Sequence, residues 1–392
     1  MEYISAVEAA EKWGVSLRQA ERLLTAGRIP GAVKHGRVWL VPYDASKPSD
    51  LRRKKNPAPS SLDSVLFQLI AATSQPLPAH NPDEILNTLQ EARVRRQYEG
   101  ALAYLRGDFA KVKRCFEQTQ GDDAARLLAS MNAIAAAIST GDYHTYTQIE
   151  AYLKGCIRAH PSSSIAAMAE LALCTAATGC LAADMVSEWL KKGDLSALPS
   201  PPRPFALYLR AKYLQCTRQY ESMLVAAQTA LALSEPMSGI SQNGLYLRLC
   251  CAVACHELGQ EDEARHYLLE AMSIGLPHGF ITPFAENVTT LGGLVEHGLA
   301  QEFPECCQAV MAQSERTIAN WGTFHNQFTK ENITLILTLR EYHIARLVAQ
   351  HVPYAQIAKQ HHISVGRVKN IMQEVYGKLF ISSRNDLAKF IL

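Results

Sequence analysis

The chain lacks most of the features that mark an enzyme, a secreted protein or a membrane protein. Its 392 residues include ten cysteines but no CxxC pair, so neither a thioredoxin-like redox motif nor a zinc ribbon is written into it. Most of these cysteines lie in Ala/Leu-rich helical patterns, which predicts buried free thiols. The tightest group is Cys250, Cys251 and Cys255 with His256, and Cys251 and Cys255 at i, i+4 read as ordinary core positions. No window of about 18 residues is free of charged and polar breaks, which argues against a membrane helix. The opening MEYISAVEAAEKWG carries acids where a secretory leader needs cations, so the expected location is the cytoplasm. There is no GxxxxGK followed by Ser or Thr, and no GxGxxG, HExxH or GxSxG. The one Gly-Lys pair is Gly377-Lys378. Isolated histidines such as His144, His266 and His278 read as structural. No catalytic residue, cofactor or metal is expected, and the chain is read as a non-enzyme.

Net charge is also small, +2 at pH 7, far below that of a dedicated nucleic-acid binder. Its distribution is more telling: residues 1–57 and 338–392 each carry +5, and the middle carries −8. Basic ends around an acidic centre point to phosphate contacts at both ends. At 48% hydrophobic residues the chain can form two or three packed domains.

Residues 44–61, DASKPSDLRRKKNPAPSS, combine Pro48, Pro57 and Pro59 with four consecutive cations and no apolar periodicity, which reads as a linker. The cationic run Arg52 to Lys55 adds at most nonspecific phosphate attraction. A softer boundary falls at the polar stretch Asn320 to Asn332. The expected division is therefore 1–43, linker 44–61, a helical region 62–330 and a terminal domain 331–392.

Within the helical region a short turn recurs: Gly107-Asp108-Phe109, Gly141-Asp142-Tyr143, Gly179-Cys180-Leu181, Arg218-Gln219-Tyr220 and Gly259-Gln260-Glu261. Their first residues are 34, 38, 39 and 41 apart, the period of stacked helix hairpins. The pieces ALAYLRGDF (Ala101 to Phe109) and LRLCCAVACHELGQEDEARHYLLEA (Leu247 to Ala271) resemble tetratricopeptide repeats, with a degenerate pattern.

Toward the C-terminus, Ile344, Leu347 and Val348 form one helical stripe, Ile357 and Ala358 belong to a short second helix, and Val368, Met372, Val375 and Leu379 form a third stripe. Ser364 is placed to cap the third helix, where free N–H groups and the positive dipole end favour a phosphate. Gly366, Lys369, Asn370, Gln373, Glu374 and Gly377 face away from that stripe. Lys suits guanine and Asn or Gln suits adenine, with Gly allowing close approach, so this is the face of a recognition helix.

Leu337 to Leu387 resembles the DNA-binding domain of the LuxR family, through Leu337, Thr338, Arg340, Glu341, Ile357, Ala358, Ile363, Ser364, Val368, Lys369, Tyr376, Lys378, Leu379 and Arg384. The resemblance implies a four-helix helix-turn-helix domain that reads bases through Lys369, Asn370 and Gln373, with Arg367, Lys378 and Arg384 near phosphates. This sequence departs from the family at His351, where a helix-ending Gly is usual, at Pro353 for a capping Ser or Thr, at Arg367 for a Thr, and at Phe380 for a Gly. Gly259 to Glu286 resembles the last repeat of the MalT-like regulators of that family, whose repeats bind an inducer, although their upstream P-loop is missing here.

Tyr3 to Pro42 predicts two helices, capped by Ser5 and Ser16 and bearing Val7, Ala10 and Trp13, then Leu17, Ala20, Leu23 and Leu24. A β-hairpin follows with Lys34, His35, Gly36 and Arg37 at its tip. It resembles excisionase and MerR-like helix-turn-helix domains through Glu8-Ala9-Ala10, Trp13-Gly14-Val15-Ser16, Arg18, Arg22, Gly27-Arg28-Ile29-Pro30, Gly36-Arg37 and Trp39-Leu40-Val41-Pro42. That resemblance implies DNA contacts from Arg18, Gln19 and Arg22 and from a wing carrying Lys34 and Arg37.

The expected protein is mostly α: an N-terminal winged helix-turn-helix, a tetratricopeptide-like array and a C-terminal LuxR-type domain. It would bind double-stranded DNA as a transcriptional regulator, as a homodimer formed through the array or through Leu387, Phe390 and Ile391, with a small-molecule or protein effector on the array. The alternatives are a repeat scaffold for protein partners and an excisionase-like architectural factor.

Overall fold

In the computed structural model, which describes residues 3–36, 38–47, 61–234, 239–291, 293–329, 337–379 and 381–391, Ser5 both ends a strand and caps a helix. The Glu8 N–H donates to the Ser5 hydroxyl, and the Ser5 N–H donates back to the Glu8 carboxylate at 2.7 Å, so two donors open at a helix start are satisfied together. Helix α1 (Ala6–Trp13) stops at Gly14, whose φ of 61° suits glycine, and α2 (Leu17–Thr25) follows. Ser16 occupies the start of α2 with extended backbone, but its side chain makes no capping hydrogen bond, contrary to expectation. Val7 and Leu17 are exposed rather than packed, because the buried stripe is Ala6, Ala9, Ala10 and Trp13 in α1 and Ala20 and Leu24 in α2.

The expected hairpin gains a third strand. Strands β1 (Tyr3–Ser5), β2 (Val33–His35) and β3 (Val38–Pro42) form an antiparallel sheet in the order β1-β3-β2, with Ile4 opposite Val41 and Val33 opposite Leu40. Alternation puts Trp39 and Val41 against the helices and Val38 and Leu40 in solvent.

The chain forms two compact units, Met1–Pro59 and Ser60–Leu392. The second begins with α3 (Ser61–Ala72) and α4 (Glu84–Thr88), then α5 (Ala92–Leu105), α6 (Phe109–Glu117), α7 (Asp123–Thr140), α8 (Tyr143–Ala159) and α9 (Ser164–Gly179). It continues with α10 (Glu188–Lys192), α11 (Arg203–Cys216), α12 (Tyr220–Ser234), α13 (Gln242–Glu257) and α14 (Glu261–Gly275). Next come α15 (Thr282–Ala285), α16 (Leu294–Glu302) and α17 (Pro304–Thr329), and the last four are α18 (Leu339–Ala349), α19 (Tyr354–Gln360), α20 (Val365–Leu379) and α21 (Arg384–Ile391). Among the described residues no helix is long and apolar enough to cross a membrane.

All five turns read from the sequence close in the same way. The backbone N–H of Asp108, Asp142, Ala182, Gln219 and Gln260 reaches five residues back, to Ala103, Ala137, Ala177, Leu214 and Cys255. Each bond needs a left-handed residue at the helix end. Glycine supplies it at Gly107, Gly141 and Gly259, whereas Leu181 and Arg218 adopt it with φ of 55° and 57°. Successive helices thus pack as hairpins, with α13 at the centre, buried from Gly244 to His256.

The polar stretch from Asn320, expected to be a boundary, continues α17 as far as Thr329. Its polar groups are spent on the turns that α17 crosses. Asn320 donates to the Ser139 carbonyl at 2.9 Å, Trp321 to Gly179 at 2.8 Å, and His325 lies 2.8 Å from the Cys180 carbonyl. A Cβ on Gly107 would lie 2.1 Å from Gln313 Oε1, and one on Gly141 would lie 2.8 Å from Asn320 Oδ1. The glycines therefore serve the approach of α17 as well as the turn. Helices α18 to α21 enclose a core of their own, with Ile344, Val348, Ile357, Val368, Met372 and Leu387 buried in it, within the same compact unit as the array.

Candidate nucleic-acid interface

Helix α20 is amphipathic, with Val368, Ile371, Met372, Val375 and Leu379 turned inward. The Arg367 N–H donates to Ser364 Oγ at 3.1 Å, so Ser364 caps α20 as expected. Outward lie Arg367, Lys369, Asn370 and Gln373, all exposed. Arg367 is 4.0 Å from Glu374 on the same face, and Lys369, Asn370 and Gln373 have no ion pair or side-chain hydrogen bond among the described residues.

Two residues expected at phosphates are held by the protein. Lys378 Nζ is 2.7 Å from both carboxylate oxygens of Glu341, a buried residue that also closes a capping box with Thr338 at the start of α18. Burial opposes the Glu341 charge, but Lys378 and Thr338 prevail and hold its carboxyl below the usual range. Lys378 thus joins the end of α20 to the start of α18. Glu341→Gln keeps the shape and removes the charge, and is expected to lower stability in urea denaturation by about 1–3 kcal/mol. A loss under about 0.5 kcal/mol, the range of exposed pairs, would show that the bond is not structural. Arg384 donates to the Val352 carbonyl at 3.2 Å and lies 3.4 Å from His351 Nδ1, tying α21 to the end of α18.

Both ends of α19 depart from the commoner residue without losing the backbone form. His351 adopts φ 65°, a conformation that glycine takes more readily, and Pro353 begins α19 with no side-chain cap. His362 closes the following turn with φ 49°. Phe380 lies outside the described residues. Leu387 is fully buried in the bundle, so it is unavailable to the dimer contact expected of it; the side chains of Phe390 and Ile391 lie outside the described residues.

In the N-terminal unit Arg18, Gln19 and Arg22 share one exposed face of α2, and Lys34 stands on β2 with its ammonium 5.7 Å from the Trp39 ring centroid. Arg37 lies outside the described residues. The same sheet exposes Val33, Val38 and Leu40 on its other face.

Three features escaped sequence reasoning because they join distant segments. A cavity of about 160 Å³ lies among the hairpins and is lined by Tyr104, Tyr208, Lys212, Glu286, Trp321 and His343. Tyr104 and Tyr246 donate hydroxyls to Glu286, whose carboxyl burial pushes up against those bonds and Lys212. A second cavity, of about 140 Å³, brings His343 and His361 from the last four helices against Arg218, His256 and Glu257 from the array. Burial and neighbouring cations push His343 down to about 4 and His361 to about 3, so both are neutral at pH 7. The third is the approach of His362 to His256 and Glu261. All ten cysteines are free, and six of them are buried, as their pattern implied.

No protein-family model, no curated protein and no solved structure matches the chain.

Proposed function

We propose that the protein is a transcriptional regulator of LuxR type that binds double-stranded DNA through α20, with the helical array as its sensing and dimerisation domain. The observation that carries this reading is the outward face of α20. Lys369, Asn370 and Gln373 stand exposed and unengaged on a rigid, capped helix whose inner side is closed by a core. Those side chains match guanine and adenine edges in the major groove, and the capped helix start is available to a phosphate. Lys378 and Arg384 are assigned to the bundle itself, which leaves Arg367 and Ser364 as the backbone-contacting positions. In the N-terminal unit, Arg18, Gln19 and Arg22 form a second reading face, with Lys34 on its wing.

The array supplies a route for an effector. His343 of α18 lines the same cavity as Tyr104, Lys212 and Glu286, so a small molecule bound there touches both the hairpins and the DNA-reading bundle. At about 160 Å³ the space suits a compact ligand on the scale of a single ring.

Selection of fragments from genomic DNA with the full chain, followed by anisotropy titration, tests this reading. Lys369→Ala is expected to weaken the selected site by about 1–3 kcal/mol and relax specificity at one base pair, while a salt slope of several units reports the phosphate contacts. Failure to enrich any sequence, with affinity insensitive to salt, would refute it.

One observation favours a second reading for the N-terminal unit. Val33, Val38 and Leu40 form an exposed apolar sheet face, which suits a protein partner better than phosphate. If that unit docks a protein, Val38→Glu abolishes the docking and leaves DNA affinity unchanged.

A further inference from the structure

His256 lies in the last turn of α13, Glu261 opens α14, and His362 stands in the turn between α19 and α20. Glu261 Oε2 is 3.7 Å from His256 Nδ1 and 3.9 Å from His362 Nε2, and the three atoms lie within 4.8 Å of one another. The two imidazole rings are nearly parallel, 17° apart, with centroids 6.3 Å apart.

These distances are too long for hydrogen bonds. His256 Nδ1 and Glu261 Oε2 are both buried, and neither has a hydrogen-bond partner. Leaving two such groups unsatisfied costs about 1–3 kcal/mol each, and a small rotation of the Glu261 side chain toward His256 would remove the cost. A metal ion satisfies them without that rotation. Nitrogen and oxygen ligands about 2.0–2.1 Å from a tetrahedral zinc ion lie about 3.3 Å apart, so the 3.7 and 3.9 Å separations must each close by about half an ångström, and the two histidine nitrogens, within 4.8 Å, must draw together further. A Cβ at Gly293 would lie 2.7 Å from His362 Cβ, so glycine at that position is what lets His362 approach.

We propose that His256 Nδ1, Glu261 Oε2 and His362 Nε2 form a three-ligand site for a divalent transition-metal ion, which ties the α13–α14 turn of the array to the turn preceding α20. Two imidazoles and one carboxylate select the zinc, cobalt and nickel class over calcium and magnesium, which prefer oxygen alone. The remaining coordination position is open to water. The nearby Cys250, Cys251 and Cys255 take no part. The site does not rest on the DNA-binding reading; it joins two parts of one compact unit whatever α20 touches.

The test is titration of the reduced, metal-stripped full chain with Co2+, followed by visible absorption and equilibrium dialysis. One ion per chain is expected, with the d–d bands of nitrogen and oxygen ligation and no thiolate charge transfer. His362→Ala and Glu261→Gln are expected to weaken binding about tenfold or more with circular dichroism unchanged. His362→Gln, closer in size, serves if the alanine variant misfolds. Cys255→Ser should bind as the parent does. Absence of stoichiometric binding, affinity unaffected by both ligand substitutions, or a charge-transfer band lost in Cys255→Ser would each overturn the site.

Discussion

Phe324→Ala is expected to lower the unfolding free energy of the second unit by about 3–5 kcal/mol, the cost of deleting a fully buried aromatic side chain and leaving a cavity. Phe324 has no exposed surface. Its ring lies 5.5 Å from those of Tyr143 and Tyr146 and 6.1 Å from Phe328, so it joins α17 to α8 through four aromatic side chains. Tyr143 and Tyr146 begin a helix fixed by Asp142, whose carboxylate accepts the Thr145 N–H at 3.0 Å, so that end of the cluster has little freedom to collapse into the void. Urea denaturation followed by tyrosine and tryptophan fluorescence measures the loss. A change below about 1 kcal/mol would mean that α17 repacks freely, against the fixed partners described above.

The second large effect is expected from pH. The His343 side chain is neutral in the folded protein because burial, Arg218 and His325 oppose its charge and bring it down to about 4. In the unfolded chain it titrates near its ordinary value of about 6.5. Between those values the unfolded state binds the extra proton, so stability is fully present above pH 6.5 and falls as pH drops toward 4. At pH 5 the loss from this residue is about 2 kcal/mol. Glu257, which lines the same cavity, does not rescue it, because burial pushes that carboxyl up as well. His343→Gln removes the proton uptake, so thermal melting of the variant should lose less between pH 7 and pH 5 than the parent does. Parallel curves for the two proteins would show that His343 is solvated enough to titrate normally.

Much of this architecture is legible where local chemistry dictates it. The turns at Gly107, Gly141 and Gly259 follow from the need for a left-handed residue, and the inner stripe of α20 follows from its 3.6-residue period. Ser5 and Glu8, three residues apart, close the capping box that their types allow. The failures share a cause, which is contact between segments far apart in the chain. Asn320 and His325 look like loop residues because their partners, the carbonyls of Ser139 and Cys180, are 181 and 145 residues away. Lys378 looks like a phosphate ligand until Glu341, 37 residues earlier, is placed beside it. His362 looks like a turn residue until α13 and α14 bring His256 and Glu261 to it. β1 leaves no mark in the sequence because a three-residue strand has no period of its own.

Helix α17 alters the mechanics of the array it crosses. A stack of hairpins held only by neighbours behaves as a row of weakly linked springs, able to fray from either end and to stretch by small rotations at each joint. Here one rod of 26 residues is pinned to the α7 and α9 turns by Asn320, Trp321 and His325, and lies against the α5 turn through Gln313. Displacing any one joint then strains the rod and, through it, the others. The stack should therefore yield to force or heat as one body, and a load applied at the C-terminal end of α17 should be felt at Gly107 without passing through the helices between.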